Sequence, residues 1–172
     1  MDDIEFAVTN FTNIDDSSLF STCVDKIEEA IVYIPDTILK TLLVDNNEIN
    51  INGDTEIQVS EAENFTGFLD LSYFIDYLDP NFFLFENTIT DLTGIEAFKN
   101  IVGLDFTDNQ YFGTFDFSNN TELTELNLAS NSFSEINVSQ NTKLTSLDVR
   151  SSPLKSLDVT ELAELELSLI HI

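Results

Sequence analysis

The sequence has very few of the residues that build disulfide frameworks, thiolate metal sites and phosphate-binding loops. Its 172 residues include one cysteine, one histidine, three prolines and five glycines, and no tryptophan. Because Cys23 has no second cysteine to pair with, an intrachain disulfide and a cluster of thiolate ligands are both excluded. The glycines occur singly, so the chain also lacks a glycine-rich loop of the kind that cradles phosphate.

Basic residues are scarce as well. Six lysines and arginines stand against 32 aspartates and glutamates, which gives a formal net charge of −26. Such a surface repels phosphate backbones and anionic lipids, and therefore disfavours nucleic-acid and membrane-surface binding. The same charge concentrates cations, which suits divalent-metal binding, but it can equally serve only to keep the protein soluble. No stretch approaches the roughly 20 apolar residues of a membrane span.

Residues for catalysis are also missing. The only histidine is His171, the lone cysteine has no histidine partner in the body of the chain, and no G-x-S-x-G sequence occurs. Carboxylates are so abundant that a pair of them does not single out a catalytic site. The sequence therefore predicts a protein that is not an enzyme.

A repeat of 21 residues fills the second half of the chain. The segment LTELNLASNSFSEINVSQNTK, which begins at Leu123, is followed directly by LTSLDVRSSPLKSLDVTELAE, which begins at Leu144. A related segment begins at Ile101, and one before it contains Phe82 and Leu84, so four coils are expected. Apolar residues two apart predict a short strand in each coil. The turn after the strand must bring the chain back beneath itself so that every coil buries the same column.

Asparagine recurs at the bend that follows each predicted strand, at Asn87, Asn109 and Asn131. A side-chain amide there can hydrogen-bond backbone groups that the turn leaves unpaired inside the stack. Ser152 takes this place in the last full coil, which is therefore expected to be held less tightly.

These columns resemble those of bacterial leucine-rich repeat proteins with short repeats, over about residues 82 to 165. The resemblance implies an α/β solenoid, a short leucine-rich repeat array with a small helical N-terminal cap. The implied regions are an N-terminal segment or linker at 1–33, a helix-loop-helix cap at 34–66, the repeats at 67–165 and an artefactual tail at 166–172. Members of the family are typically exported or displayed on the cell surface, whereas MDDIEFAVTN lacks the features of a secretory signal. The chain is therefore expected to be a fragment of a longer protein.

By the same resemblance, the expected function is a non-catalytic protein-binding module for interaction or adhesion. Two alternatives stay open, an accessory binding domain of a secreted hydrolase and a purely structural spacer. The expected partner is a protein or a surface glycan. It would contact the residues beside the buried columns of the strands, which are Phe83, Phe85, Asp105, Thr107, Glu125, Asn127, Asp148 and Arg150.

Two details of this surface also have alternatives. Phe83 and Phe85 either form an exposed binding site or are covered by the preceding LDLSYFIDYLDP. A second outward column of Asp116, Asn137 and Asp158 either holds a cation or is a hydrated acidic ladder.

The segment NINGDTEIQVSE at residues 50–61 has the length and spacing of a twelve-residue calcium loop of the EF-hand kind. Ile57 falls at position 8, where an apolar residue anchors such a loop to the core. The flanks predict a helix that begins near Pro35 and a second helix opened by a capping box of Ser60 and Glu63. The candidate calcium ligands stand at positions 1, 3, 5, 7, 9 and 12 and are Asn50, Asn52, Asp54, Glu56, Gln58 and Glu61.

Two departures weaken the match to a calcium loop. Thr55 stands at position 6, where the sharp turn requires a positive φ that strains a β-branched residue, and position 1 is Asn50 instead of aspartate. With only Asp54 and Glu61 as charged ligands, we expect weak calcium binding, with a Kd on the order of 10⁻⁴ to 10⁻³ M. The alternative is a metal-free cap that keeps a degenerate loop and closes the apolar end of the solenoid.

Overall fold

The computed structural model describes residues 29–72, 88–109 and 111–169. Its helices are α1 at Thr37–Val44, α2 at Val59–Asn64 and a single 3₁₀ turn at Ile95–Ala97. Its strands each have three residues and are β1 at Phe68–Asp70, β2 at Gly103–Asp105, β3 at Thr114–Asp116, β4 at Glu125–Asn127, β5 at Glu135–Asn137, β6 at Ser146–Asp148 and β7 at Leu167–Leu169. No helix in the described part of the chain is long and apolar enough to cross a membrane.

The strands form two parallel sheets that wind as a solenoid. The main sheet has the order β1-β2-β4-β6-β7, and the second sheet pairs β3 with β5. In the main sheet, the middle residues of the strands stand in one column, which runs Leu69, Leu104, Leu126, Leu147 and Ser168. Consecutive coils thus pair in register, as the sequence repeat predicts.

The described coils contain strands and turns on both sides, and the only helical turn among them is Ile95–Ala97. The two α-helices lie before β1. The coils of this solenoid therefore do not show the alternation of strand and helix that the α/β expectation implies.

The strand beside β2 is not the one read from the sequence. Phe68–Asp70 pairs with β2, so that Leu69 and Leu71 occupy the buried columns that were assigned to Phe82 and Leu84. The segment containing Phe82 and Leu84, together with Asn87, lies outside the described residues. The distance in sequence from β1 to β2 is therefore longer than one repeat.

The solenoid core is rich in phenylalanine. Phe98, Phe106, Phe117 and Phe133 are fully buried. The ring of Phe115 in β3 lies 5.7 Å from that of Phe106 and 4.8 Å from that of Phe133, both edge to face. Because Phe106 directly follows β2, these contacts join the two sheets across a shared apolar core.

The N-terminal helices bury their apolar residues against the same core. Leu39 and Leu43 stand one turn apart on α1 and are buried together with Ile49 and Ile57 of the following loop. The first helical residue of α1 is Thr37, with Asp36 as its N-cap, so Pro35 lies just before the helix rather than at its first position. The burial of Ile57 is what position 8 of the loop predicted.

Asparagine side chains hold the coils together on the inside. Asn109 Nδ2 donates to the Leu71 carbonyl at 2.8 Å, and Asn131 Nδ2 donates to the Phe106 carbonyl at 2.8 Å. The side-chain oxygens of the two residues accept the N–H groups of Ile89 and Tyr111. This confirms the predicted role of Asn109 and Asn131.

A second buried asparagine column was not foreseen. Asn120 Nδ2 donates to the carbonyls of Ile95 and Phe98, and Asn141 Nδ2 donates to those of Phe117 and Asn120. Both asparagines are 0% exposed. The coils that contain β2 and β4 thus each have one amide on either side of the core, and each of these amides donates to the preceding coil.

The segment expected to be an artefactual tail takes part in the fold up to residue 169. Leu167–Leu169 pairs with β6 as the last strand of the main sheet. Ser168 stands in the leucine column, at a position where the repeat predicts leucine. Leu167 beside it is 52% exposed. Residues 170–172 lie outside the described residues.

Asp36 joins α1 to the first described turn of the solenoid. Its Oδ1 accepts the N–H groups of Ile38 and Leu39, and its Oδ2 accepts those of Thr90 and Asp91. Although burial acts to raise the pKa of Asp36, these N–H groups stabilise the carboxylate, and the pKa lies below its ordinary value.

Replacing Asp36 by alanine is expected to lower the free energy of unfolding at pH 7 by about 2 kcal/mol, because a helix cap and a link to the solenoid are lost together. Since the folded-state pKa is lowered, the stabilisation is present above the unfolded value of about 3.9 and is lost as the pH falls through the lower folded value. Urea unfolding at pH 7 and pH 2.5 measures both effects. A difference between wild type and variant that stays constant over this range contradicts the assignment.

Candidate functional site

The loop at residues 50–61 turns at Gly53, not at Thr55. Gly53 has a φ of 70°, whereas the only other described residues with positive φ are Gly94, Asp108, Ser130 and Ser151. The strain expected at Thr55 is therefore absent. The sharp turn at position 6 that shapes a calcium loop is absent as well.

Asn50 is buried, and its amide is satisfied within the loop region. Nδ2 donates to the carbonyls of Val44 and Asp54, each at 2.9 Å, and Oδ1 accepts the Gly53 N–H at 3.0 Å. These partners fix the orientation of the amide. A flipped amide would set its oxygen against two carbonyls and its N–H₂ group against an N–H.

Asp54 is surrounded by side-chain donors. Its Oδ2 accepts Gln58 Nε2 at 2.8 Å and Asn52 Nδ2 at 3.1 Å, and its Oδ1 accepts the Glu56 N–H at 2.7 Å. The Glu56 N–H contributes most to lowering the pKa of Asp54, and the two amides and Lys40 lower it further. The side chains of three of the six candidate ligands, Asn52, Asp54 and Gln58, therefore bond to one another.

Glu61 closes the loop from α2. Its Oε1 accepts the N–H groups of Ile51 and Asn52, and its Oε2 accepts the Gln58 N–H. Gln58 and Glu61 form the capping box of α2, which was assigned wrongly to Ser60 and Glu63. The Glu56 carboxylate turns away to α1, where both its oxygens lie 2.7 Å from Lys40 Nζ.

These residues do not fit a calcium ion. A calcium loop presents oxygen atoms to the ion from positions 1, 3, 5 and 12. Here the amide of Asn50 directs its N–H₂ group at the Asp54 carbonyl, and the Glu61 oxygens are engaged by three backbone N–H groups. Among the described residues, no group of three or more His, Cys, Asp or Glu side chains could hold a metal ion.

The second candidate site is the outward face of the main sheet, which we call the main-sheet face. It consists of the first and third residues of each main-sheet strand. In order along the sheet these residues are Phe68, Asp70, Gly103, Asp105, Glu125, Asn127, Ser146, Asp148, Leu167 and Leu169.

Polar side chains on this face bond along the sheet and at the strand ends. Asn127 Nδ2 donates to Asp105 Oδ2 at 3.0 Å, and the remaining oxygens of the two residues accept the N–H groups two residues further on. Like charges on neighbouring strands repel, so an asparagine between Asp105 and Asp148 lowers the repulsion in this row.

Arg150 folds back onto Asp148, with Nε 3.0 Å from Oδ1 and Nη2 2.6 Å from Oδ2. Burial acts to raise the pKa of Asp148, but the hydrogen bonds and charge of Arg150 lower it below the ordinary value. Asp148 is only 8% exposed, so a binding partner can contact mainly the guanidinium group of Arg150 in this pair.

The predicted contact residues are not all equally accessible. Glu125 is exposed, and Asp105 and Asn127 are half-buried, all in adjacent strands. The hydroxyl of Thr107 is buried without a hydrogen-bond partner among the described residues. Phe83 and Phe85 lie outside the described residues, so their predicted role stays a prediction.

One aromatic contribution to the face was missed. The half-exposed ring of Phe68 lies over Gly103 in the neighbouring strand, where any Cβ would collide with it. The glycine in GLDF was the available sequence signal, because glycine inside a strand often marks a close approach.

The second sheet repeats the polar arrangement of the main-sheet face. Asn137 Nδ2 donates to Asp116 Oδ1 at 2.9 Å, and Asp116 and Asp158 accept the N–H groups of Ser118 and Thr160. Hydrogen bonds from Ser118 lower the pKa of Asp116, most of all that from its N–H. Glu135–Asn137 thus has the same glutamate and asparagine at its ends as Glu125–Asn127 but lies on the other sheet.

Two solved structures from Listeria monocytogenes share this fold. The functional domain of InlJ is 26% identical with a TM-score of 0.59, and the match covers 77% of this chain and 26% of that one. The internalin InlF is 19% identical with a TM-score of 0.51, over 76% of this chain and 34% of that one. This chain therefore spans about a quarter to a third of the length of either structure. No protein-family model and no curated protein sequence match it.

The in-register solenoid and the likeness to these two internalin structures confirm the leucine-rich repeat solenoid that the sequence resemblance implies. The InlJ domain is described as including a cysteine ladder. The present chain cannot contain one, because Cys23 is its only cysteine and precedes the repeats. Its coils are linked by asparagine amides instead.

Proposed function

We propose that the chain is a non-catalytic protein-binding module of an exported or surface-displayed bacterial protein, and that its partner docks on the main-sheet face. The likeness to internalins supports a role in binding. The observation that carries the proposal is the row of side chains on five parallel strands, which presents a continuous surface held by backbone pairing and not by loops.

The charge of this face defines the chemistry of the partner. Asp105 and Glu125 stand on adjacent strands, and Arg150, a basic residue just after β6, is already paired with Asp148. The chain as a whole has a formal charge of −26. A basic protein surface is attracted at long range by this field and can pair with the exposed carboxylates on contact.

The decisive test uses two matched double variants. Glu125→Lys with Asn127→Lys changes the main-sheet face, and Glu135→Lys with Asn137→Lys makes the same charge change on the second sheet. The probe is a random peptide library displayed on phage and selected against the wild-type chain. Because the face is acidic, we expect selected peptides rich in lysine and arginine.

The selected peptides are then measured on both variants at the same salt concentration. Reversing the charge of Glu125 and adding a positive charge at Asn127 is expected to weaken binding about 10- to 100-fold on the main-sheet variant, which corresponds to about 1.4 to 2.8 kcal/mol. The second-sheet variant should lose less than about 2-fold, since it shares only the general change in charge. Equal losses on both variants contradict docking on the main-sheet face.

A further inference from the structure

The loop at residues 50–61, which we call the cap loop, contains its own source of positive charge. Lys40 of α1 places its ammonium 2.7 Å from both oxygens of Glu56 and also lowers the pKa of Asp54. The side-chain amides of Asn52 and Gln58 direct N–H groups at the Asp54 carboxylate. The acidic groups of the loop are therefore neutralised or hydrogen-bonded by residues of the same chain.

The cap loop also holds together the elements around it. Asn50 bonds the carbonyl of Val44, the last residue of α1, and Glu61 of α2 bonds the backbone at Ile51 and Asn52. On its other side, the loop pairs with an extended segment through an antiparallel bridge between Ile31 and Gln58. Asn50, at the position that begins a calcium loop, thus links the end of α1 to the turn at Gly53. We call this set of hydrogen bonds the joint.

Calcium binding would require this joint to be dismantled. Glu61 is 7% exposed, and its Oε1 already accepts two N–H groups, so ligation through both oxygens would take this acceptor from Ile51 and Asn52. Buried N–H groups without partners are costly. Asn50 is 5% exposed. To present its oxygen to an ion, it would have to turn its N–H₂ group away from the carbonyls of Val44 and Asp54.

We propose that the cap loop is a metal-independent clamp, in which the amides of Asn50, Asn52 and Gln58 and the ammonium of Lys40 do the work of a bound cation. The clamp fastens α1 to α2 without calcium. It is independent of the proposed function, because the main-sheet face is built from other residues.

The test compares melting temperatures in EDTA, in 5 mM calcium and in 5 mM magnesium at equal ionic strength. The wild-type melting temperature should differ by less than about 1 °C between calcium and magnesium, since both ions screen the acidic surface alike. Asn50→Asp, which improves the sequence match to a calcium loop, should lower the melting temperature by roughly 4 to 8 °C in all three buffers. It removes both Nδ2 donors and adds a carboxylate beside Asp54.

Asp54→Asn serves as the control, because Asp54 lies on the surface and the variant removes a charged candidate ligand without opening the core. A rise of more than about 3 °C in calcium over magnesium for the wild type, lost in Asp54→Asn, overturns the proposal. So does an Asn50→Asp variant that calcium stabilises.

A second measurement does not depend on whether any variant folds. The amide resonance of Gly53 in the wild-type chain reports on the turn of the cap loop, because this N–H is bonded to Asn50 Oδ1. We expect the resonance to stay in place up to 5 mM calcium, as it does with magnesium. A saturable movement with calcium alone refutes the metal-independent clamp.

Discussion

Replacing Phe133 by alanine is expected to lower the free energy of unfolding by about 4 kcal/mol. The side chain is 0% exposed, and its ring packs edge to face on Phe115 at 4.8 Å. Its removal leaves a cavity that the parallel strands on both sides cannot close, because their register is fixed by backbone pairing. Urea unfolding of wild type and variant measures the loss directly.

Phe112→Ala is the matched control. Phe112 lies in the same turn region of the preceding coil but is 75% exposed, so its truncation should change the free energy of unfolding by less than about 0.5 kcal/mol. If the two alanine variants unfold at the same urea concentration, the assignment of Phe133 to the core is wrong.

The second large effect is expected at Asn131. The residue is 3% exposed, donates through Nδ2 to the carbonyls of Phe106 and Leu128, and accepts the Tyr111 N–H. Asn131→Ala leaves these backbone groups without partners inside the stack, at a cost of about 1 to 3 kcal/mol for each group that water cannot reach. We expect a total loss of about 4 kcal/mol in urea unfolding, close to that of Phe133→Ala.

Asn137→Ala is the control that separates the effect of burying an asparagine amide from the effect of losing the amide itself. Asn137 also bonds the neighbouring coil, through Asp116, but it lies on the exposed side of β5 where water replaces the lost partner. Its substitution should cost less than about 1 kcal/mol. An Asn131→Ala variant as stable as Asn137→Ala would show that the buried asparagine amides do not hold the coils together.

The repeat made most of the solenoid predictable from the sequence. Each apolar column depends on spacing within one coil and on its return 21 or 22 residues later, both of which are local features. Leu104, Leu126 and Leu147 were expected in one column, and they are paired and buried there. Asn109 and Asn131 followed from the same frame.

The start of the array was not predictable in this way. Both FLDLS at 68–72 and FFLFE at 82–86 place apolar residues two positions apart, and the repeat alone cannot tell how many residues separate the first two strands. Pairing with β2 selects Phe68–Asp70, a contact between residues 35 positions apart in sequence. The Asn120 and Asn141 column did leave a signal, since SNNTE and SQNTK recur 21 residues apart.

The cap loop shows a different limit of sequence reasoning. Asparagine and glutamine provide both an oxygen and an N–H₂ group, so a spacing pattern cannot tell which of the two points into a loop. In Asn50 the carbonyls of Val44 and Asp54 decide the matter. Similarly, the pairing of Glu56 with Lys40 bridges 16 residues and has no local signature.

Amide hydrogen exchange tests the stacking of the coils most directly. At the end of three main-sheet strands a buried residue donates its N–H to the next coil: Phe106 to the Asn127 carbonyl, Leu128 to that of Asp148 and Val149 to that of Leu169. Slow exchange should therefore recur at positions 106, 128 and 149, with the exposed turns between them exchanging rapidly. Protection that runs through consecutive residues as in a long helix, or that is absent at all three positions, would contradict the solenoid.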